Sequence, residues 1–444
     1  MSSVLVRVIG AVATLCLFLP GNNAHSIFKR QSPTLPTDDP FYTPSIGFQN
    51  EEPGTILRYR TMPYPLSKVG SQTANFKTGF QILYRTTDAL GNAEATVTTL
   101  LVPHNASDDK LLSYQTGEDA VYLNCAPSYG LQQGAETSSS TPEIALISAA
   151  LNQGWYVSVP DYEGPNSSVT ANPQAAHATL DNIRAVLKSG SFSNLSSEAR
   201  AVMWGYSGGS MASEYAAEYL STYAPELNIV GAALGGLEPN VSASIEYVNS
   251  GPNSYLIPMA LNGLAMGYPN MSQYIDQHLV SSTAATFRIP LTECLNSYQS
   301  TFSGQNIFDY FDNGMGLLTD LVPSSIYEIS WLMGTRGTPK IPMYFYHGVE
   351  DEVSHIAETD ALYAKYCAGG ATIQYQRNLV SPHVLDGVLG APAAISWMKD
   401  RLEGVALAPG CSVEDVVVTT LSLDDIVILG EIVYNYLNYV LGQM

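Results

Sequence analysis

Basic residues are scarce in this chain of 444 residues. Lys and Arg number 19 against 40 Asp and Glu, for a formal charge of −21 at pH 7. A field of that sign repels phosphate backbones, which argues against nucleic-acid binding. Charged residues make up only 13% and apolar ones 45%. That excludes a disordered chain and is enough for a large buried core. Cysteine is rare as well, five in all with no CxxC spacing, which disfavours a zinc site. No internal repeat is visible. The apolar stretches are too short or too interrupted for a comfortable membrane span.

What is present at the N-terminus reads as an export signal. Arg7 precedes an apolar run at 8–19, then Pro20 and a small, polar stretch to Ala24. Residues 1–24 thus read as a signal peptide, and 25–40 as a processed or extended leader. The dibasic pair Lys29-Arg30 resembles a kexin-type site that would leave a mature start near Gln31. Five Asn-X-Ser/Thr sequons begin at Asn105, Asn166, Asn194, Asn240 and Asn270, as expected of a secreted, extracellular glycoprotein. Cys16 leaves with the signal. Cys125, Cys294, Cys367 and Cys411 remain, and an even number in an oxidising compartment suggests two disulfides. Four cysteines allow three pairings.

After a Pro-rich, extended lead-in at 31–65, the alternation at 80–102 predicts a hairpin turning at 88–92. Strands are then expected at 111–115, 156–160, 201–206, 228–234, 342–346 and 372–376. Helices are expected at 142–153, 174–188, 209–223, 357–366 and 392–402. Pro142 and Pro392 suit a first helical position, where the missing N–H costs nothing. Strands alternating with helices mean an α/β fold with a mostly parallel sheet covered on both faces. The rhythm breaks at 235–337, a stretch of helices and loops that reads as a helical cap or lid above the sheet. It divides the core into 41–234 and 338–411. The tail at 412–444, apolar but interrupted by Asp424, Asp425, Glu431 and Asn435, reads as a strand or helix packing back on the body.

The decisive segment is Ala201-Val-Met-Trp-Gly-Tyr-Ser-Gly-Gly-Ser210. A strand runs into G-x-S-x-G and a helix of small residues follows, the required context of a nucleophile elbow. Ser207 must sit on a strained turn with its hydroxyl exposed, and side chains two residues either side would collide with backbone. The positive end of the following helix lies where an oxyanion would form. Chain order then asks for an acid and, last, a histidine. His25, His104 and His177 come before Ser207, His278 falls in the cap, and His347 and His355 flank the acid candidates. His383 remains, expected in a loop between the strand at 372 and the helix at 392. Asp351, just past the end of a buried-type strand, is the expected acid; Glu350, Glu352 and Asp386 stay open as alternatives. His347-Gly348 is read as serving the turn. One oxyanion-hole N–H should come from Gly208 and the second from the loop at 115–120; no HGGG is present to fix it.

Several ordered segments together resemble the fungal secretory lipase family, the lipase A group. They are Gly205-Tyr-Ser-Gly-Gly209, Ser113-Tyr-Gln-Thr-Gly-Glu-Asp119, Asn124-Cys-Ala-Pro-Ser-Tyr129, Asp161-Tyr-Glu-Gly-Pro165 and His347-Gly-Val-Glu-Asp351. The resemblance runs from about Phe41 to Cys411. It implies an α/β-hydrolase core with a helical cap, the triad Ser207, Asp351 and His383, and an oxyanion hole of the Asp119 and Gly208 amides. It also implies disulfides Cys125–Cys294 and Cys367–Cys411 and a tail that works as a flap over the pocket. No metal or organic cofactor is called for. The implied substrate is an ester or lipid, triacylglycerol above all, taken at a lipid–water interface by a monomer. The same resemblance covers esterases that deacetylate secondary metabolites such as trichothecenes. A catalytically inactive hydrolase fold acting as a binding module is the competing class, and a serine and a histidine both present in order speak against it.

Overall fold

The computed structural model describes residues 32–136, 141–430 and 432. The signal peptide, the dibasic pair and the expected mature start lie outside the described residues, as does the end of the tail. Ten strands form one sheet: β1 (Ile56–Thr61), β2 (Thr78–Thr87), β3 (Ala93–Val102), β4 (Lys110–Gln115), β5 (Tyr156–Pro160), β6 (Arg200–Tyr206), β7 (Ile229–Gly235), β8 (Met343–Gly348), β9 (Ile373–Asn378) and β10 (Cys411–Val416). Their spatial order is β1-β2-β3-β5-β4-β6-β7-β8-β9-β10. The antiparallel β1-β2-β3 ribbon joins β5 antiparallel, and every pair from β5 to β10 is parallel.

The central strands are buried on both faces, and their side chains divide with the period of two that a pleated strand imposes. In β6, Ala201 and Met203 enter one core while Val202 and Trp204 enter the other. Helix α1 (Thr141–Asn152) covers the Trp204 face; α2 (Asn172–Leu187) and α3 (Gly208–Tyr223) cover the Met203 face. Between β7 and β8 the chain forms α4 (Val241–Val248), α5 (Leu256–Gly267), α6 (Pro269–His278), α7 (Leu295–Phe302) and α8 (Leu321–Ser330), with shorter turns and, among the described residues, no strand beyond isolated bridges. Ile245, Leu261, Ile275, Phe302 and Trp331 of this insertion share one core with α2 and α3. After β8 come α9 (Ile356–Ala368), α10 (His383–Leu389), α11 (Ala391–Glu403) and α12 (Leu423–Leu429). Cys125 is bonded to Cys294, tying the loop after β4 to the cap, and Cys367 to Cys411, tying the end of α9 to the start of β10.

Two segments differ from the sequence reading, and the tail, read as a strand or helix packing back on the body, supplies one of each. The lead-in at 31–65 contains β1, an edge strand hard to read because its side chains are at most half-buried. Its Arg60 is held by Asp39 at 2.6 Å and Gln81 at 2.8 Å, so the end of the expected leader is docked on the body. In the tail, β10 extends the sheet and α12 inserts Leu429 beneath α1 and α11. That is the face away from the nucleophile helix, and none of the tail's described residues lines the cavity below. Finally, His383 does not sit in a loop. It begins α10, a helix of only seven residues containing Gly387, too short to show a helical period.

Candidate active site

Ser207 stands between β6 and α3 with φ 53° and ψ −125°, a conformation costly for any residue with a Cβ. The strain is held from both sides. Its N–H donates to Gly235 O at 2.9 Å, and the flanking glycines let backbone close in. A Cβ on Gly205 would overlap the Gly209 carbonyl, and one on Gly209 the Gln115 carbonyl. The hydroxyl therefore stands at the parallel strand ends, where α/β sheets open their crevice.

The long-range contacts then assemble around it. His383 Nε2 lies 2.9 Å from Ser207 Oγ, and His383 Nδ1 lies 2.6 Å from Asp351 Oδ2. Asp351 Oδ1 accepts from the N–H groups of Val353 and Ser354, each at 2.8 Å. Burial pushes the Asp351 carboxyl up, but His383 and His347 outweigh it and hold the group below the usual carboxylate range. Burial pushes His383 down, and the surrounding carboxylates, Asp351 first, then Glu238 and Glu352, raise it to about 9.

The other candidates for the acid sit elsewhere. Glu350 is exposed. Glu352 accepts from the His383 N–H at 3.0 Å, which orients the backbone rather than the ring. Asp386 is buried in α10 with its carboxyl pushed up to about 6 by burial. His347, read as a turn residue, does more: its Nε2 lies 3.2 Å from Asp351 Oδ2 and 3.0 Å from Ser354 O, and its Nδ1 3.1 Å from Thr359 Oγ1. Two acceptors at Nε2 place a proton there, so His347 donates to Asp351, while its Nδ1 faces the Thr359 hydroxyl. Tyr206 adds a donor to the His383 carbonyl at 2.5 Å. Neither contact has a local sequence signature.

Asp119 lies in the loop after β4 with φ 45°. That loop is braced by Gly117 N–H donating to Glu143 at 3.0 Å and by Tyr162 O–H donating to Thr116 O at 2.7 Å. Among the described residues the Asp119 N–H has no partner within the protein. Gly208 opens α3, where the first N–H groups lack intrahelical acceptors. A Cβ on Gly208 would stand 2.6 Å from Asp119 Oδ1, so the two residues are neighbours. Burial raises the Asp119 carboxyl above its usual range, against the pull of His383.

A narrow cavity opens on Ser207, about 40 Å³ measured as the space for the centre of a water molecule. Nine of its fourteen lining residues are apolar, among them Met211, Ile245, Leu256, Met259 and Val353. Glu238 also lines it; its Oε1 lies 3.5 Å from Ser207 Oγ, and burial pushes its carboxyl up to about 7. No sequence motif marked this residue. Among the described residues no cluster of three His, Cys, Asp or Glu could hold a metal ion. Of the sequons, Asn105, Asn166, Asn194 and Asn270 are exposed. Asn240 is half-buried, and its side chain caps α4 by accepting from Ala243 N–H at 3.4 Å.

The chain is similar to known proteins over most of its length. The secretory lipase family matches residues 131–410. Lipase A of Arthroderma benhamiae is 39% identical over 93% of this chain and 90% of its own. The trichothecene C-3 esterase of Fusarium sporotrichioides is 38% identical over 88% of this chain and 90% of its own. Among solved structures, Candida antarctica lipase A superposes with a TM-score of 0.82 at 27% identity, covering 92% of this chain and 96% of that one. The fold is accordingly that of the α/β hydrolases. No helix among the described residues is long and apolar enough to cross a membrane.

Proposed function

The chain belongs to the secretory lipase family and is a carboxylic ester hydrolase, and we propose that Ser207, His383 and Asp351 carry its acyl-transfer chemistry. The observation that carries the reading is the continuous hydrogen-bond chain from Ser207 Oγ through both ring nitrogens of His383 to Asp351. Ser207 attacks the ester carbonyl as His383 Nε2 takes its proton, with Nδ1–H held on Asp351. The Asp119 and Gly208 amides receive the oxyanion, each donor lowering the barrier by roughly 3 kcal/mol. His383 returns the proton to the leaving alkoxide, forming the alcohol and an acyl-Ser207 ester. Water, deprotonated by His383, then attacks that ester and frees the acid and the serine.

The substrate is an acyl glyceride, taken from a lipid–water interface by a monomer; the apolar cavity wall supports this. A second reading, removal of a short acyl group from a hydroxylated metabolite, is favoured by the narrowness of the cavity and by the esterase relative. Export follows from residues 1–24, with processing after Arg30. Ser207→Ala is expected to lower ester turnover by about 10⁴-fold or more and to abolish labelling by a fluorophosphonate, with an unchanged melting temperature. Labelling that survives in Ser207→Ala would overturn the nucleophile, and an unlabelled wild-type protein would point to an inactive binding module. Rates on tributyrin, triolein and an acetylated sesquiterpenoid separate the two substrates.

A further inference from the structure

One carboxyl group in the cavity has no part in the two-step reaction. Glu238 comes three residues after the end of β7, in Gly235-Gly-Leu-Glu238, and its Oε1 stands 3.5 Å from the same Ser207 Oγ that His383 Nε2 approaches at 2.9 Å. The hydroxyl thus has one proton and two acceptors. The groups facing Glu238 come from three elements: Asp119 from the loop after β4, Asp351 from the loop after β8, and His383 from α10. The first two repel its charge and the third, when protonated, attracts it. The cap helices α4 and α5 line the same cavity with apolar side chains and Ser244, and bring no charge to it. Burial is the largest influence on Glu238, and no lysine or arginine figures among the charges that act on it.

Two proton arrangements share this geometry with the same number of protons. In one, neutral Glu238 donates to Ser207 Oγ while the serine O–H donates to a neutral His383. In the other, His383 is an imidazolium that donates to Ser207 Oγ, and the serine O–H donates to a Glu238 carboxylate. They differ by two protons shifted across one hydroxyl. Only the first leaves a base beside the nucleophile.

We propose that Glu238 competes with His383 for the Ser207 proton, so that its carboxylate holds the histidine as imidazolium until the pair releases the shared proton at higher pH. The inference rests on the reading of Ser207 and His383 as nucleophile and base. The carboxyl pushed up to about 7 and the imidazole raised to about 9 agree with a pair in which both charges coexist over an intermediate range. Removing the carboxylate leaves Asp351 and Glu352 acting on His383, so the imidazole loses its proton at lower pH.

The test is Glu238→Gln in the full chain, read by two pH profiles from pH 5 to 10. One is kcat/KM on p-nitrophenyl acetate, the other the rate of fluorophosphonate labelling. The acid limb of both is expected to move down by roughly one pH unit, the scale of a nearby opposite charge. Labelling on the wild-type acid limb then rises about tenfold. Glu238→Thr, also uncharged, carries the same expectation and serves if the amide variant does not fold. An acid limb that stays in place or moves up in a folded variant overturns the proposal. An unmoved limb in the variant, with wild-type protein still labelled at Ser207, sinks the role of Glu238 alone. Protein that labels without Ser207 sinks the triad beneath it.

Discussion

In the sheet body, β6 and β8 are buried along almost their full length and β9 at half of its positions, and Ser207, Asp351 and His383 stand just past the ends of these strands. The cap, by contrast, has no strand among its described residues, yet the chain between β7 and β8 supplies nine of the fourteen residues that line the cavity. The body thus holds Ser207, His383 and Asp351 at hydrogen-bond distances, while the insertion supplies most of the cavity wall beside them. A division of this kind lets one fold take different substrates, with chemistry kept at the strand ends and the cavity wall free to vary.

That division can be broken or sharpened by experiment. The largest effect should come from the body. Asp351→Asn keeps the shape but offers His383 Nδ1 a poorer partner, and kcat is expected to fall about 10⁴-fold with KM little changed. A loss below about tenfold would mean that another carboxylate, Asp386 or Glu352, orients the ring.

The tether between the two regions comes next. Cys125→Ser with Cys294→Ser removes a link closing 169 residues, and chemical denaturation should show a loss of roughly 2–4 kcal/mol. If the cap were held by its shared core alone, the denaturation midpoint would stay where it is.

A cap substitution should act on selectivity instead. Met259→Ala widens the cavity wall, and the ratio of kcat/KM for an octanoyl over an acetyl ester is expected to rise about tenfold. Equal loss on both esters would show that Met259 supports the catalytic geometry rather than the fit of the acyl group.

The smallest expected effect is a slope of stability with pH, set by the body. Burial pushes the carboxyls of Glu94, Glu143 and Asp161 up to about 8, 7 and 7. Each binds its proton more tightly folded than unfolded. The stability they contribute is therefore full below the ordinary carboxylate range, near pH 4, and is lost as pH rises through 7 to 8. His383, raised to about 9, adds stability of the same sign that is lost as pH rises through 9. The melting temperature should fall from pH 5 to pH 8, and a rise over that interval would contradict the burial of these groups as acids.

Much of this was legible in advance because it is local. The β6–α3 elbow needs only five consecutive residues and a strand before them. The apolar run from Ala201 to Trp204 marks a strand, and the alternation of strands with helices a sheet covered on both faces. The absence of strand patterning between Gly235 and β8 marked the cap. What escaped was either weakly patterned or held by partners far along the chain. Edge strand β1 buries too little to show its period, and α10 is too short to show one. The tail's course on the α1–α11 face depends on where Leu429 finds a gap. His347 lies in a segment that reads as an ordinary turn and Glu238 at the start of the cap with no motif around it, and each meets its partners only across a loop or from far along the chain.

Taken alone, the order of residues determined the class of protein and the strained serine, and it ordered the candidates for nucleophile, acid and base, because each is written in spacings the backbone must obey. Which carboxylate meets the imidazole, how narrow the cavity beside the serine is, and that a second carboxyl, Glu238, stands 3.5 Å from its hydroxyl were decided only by folding. These depend on distances of about 3 Å between groups from different strand ends, and such distances exist only once the sheet has brought those ends side by side.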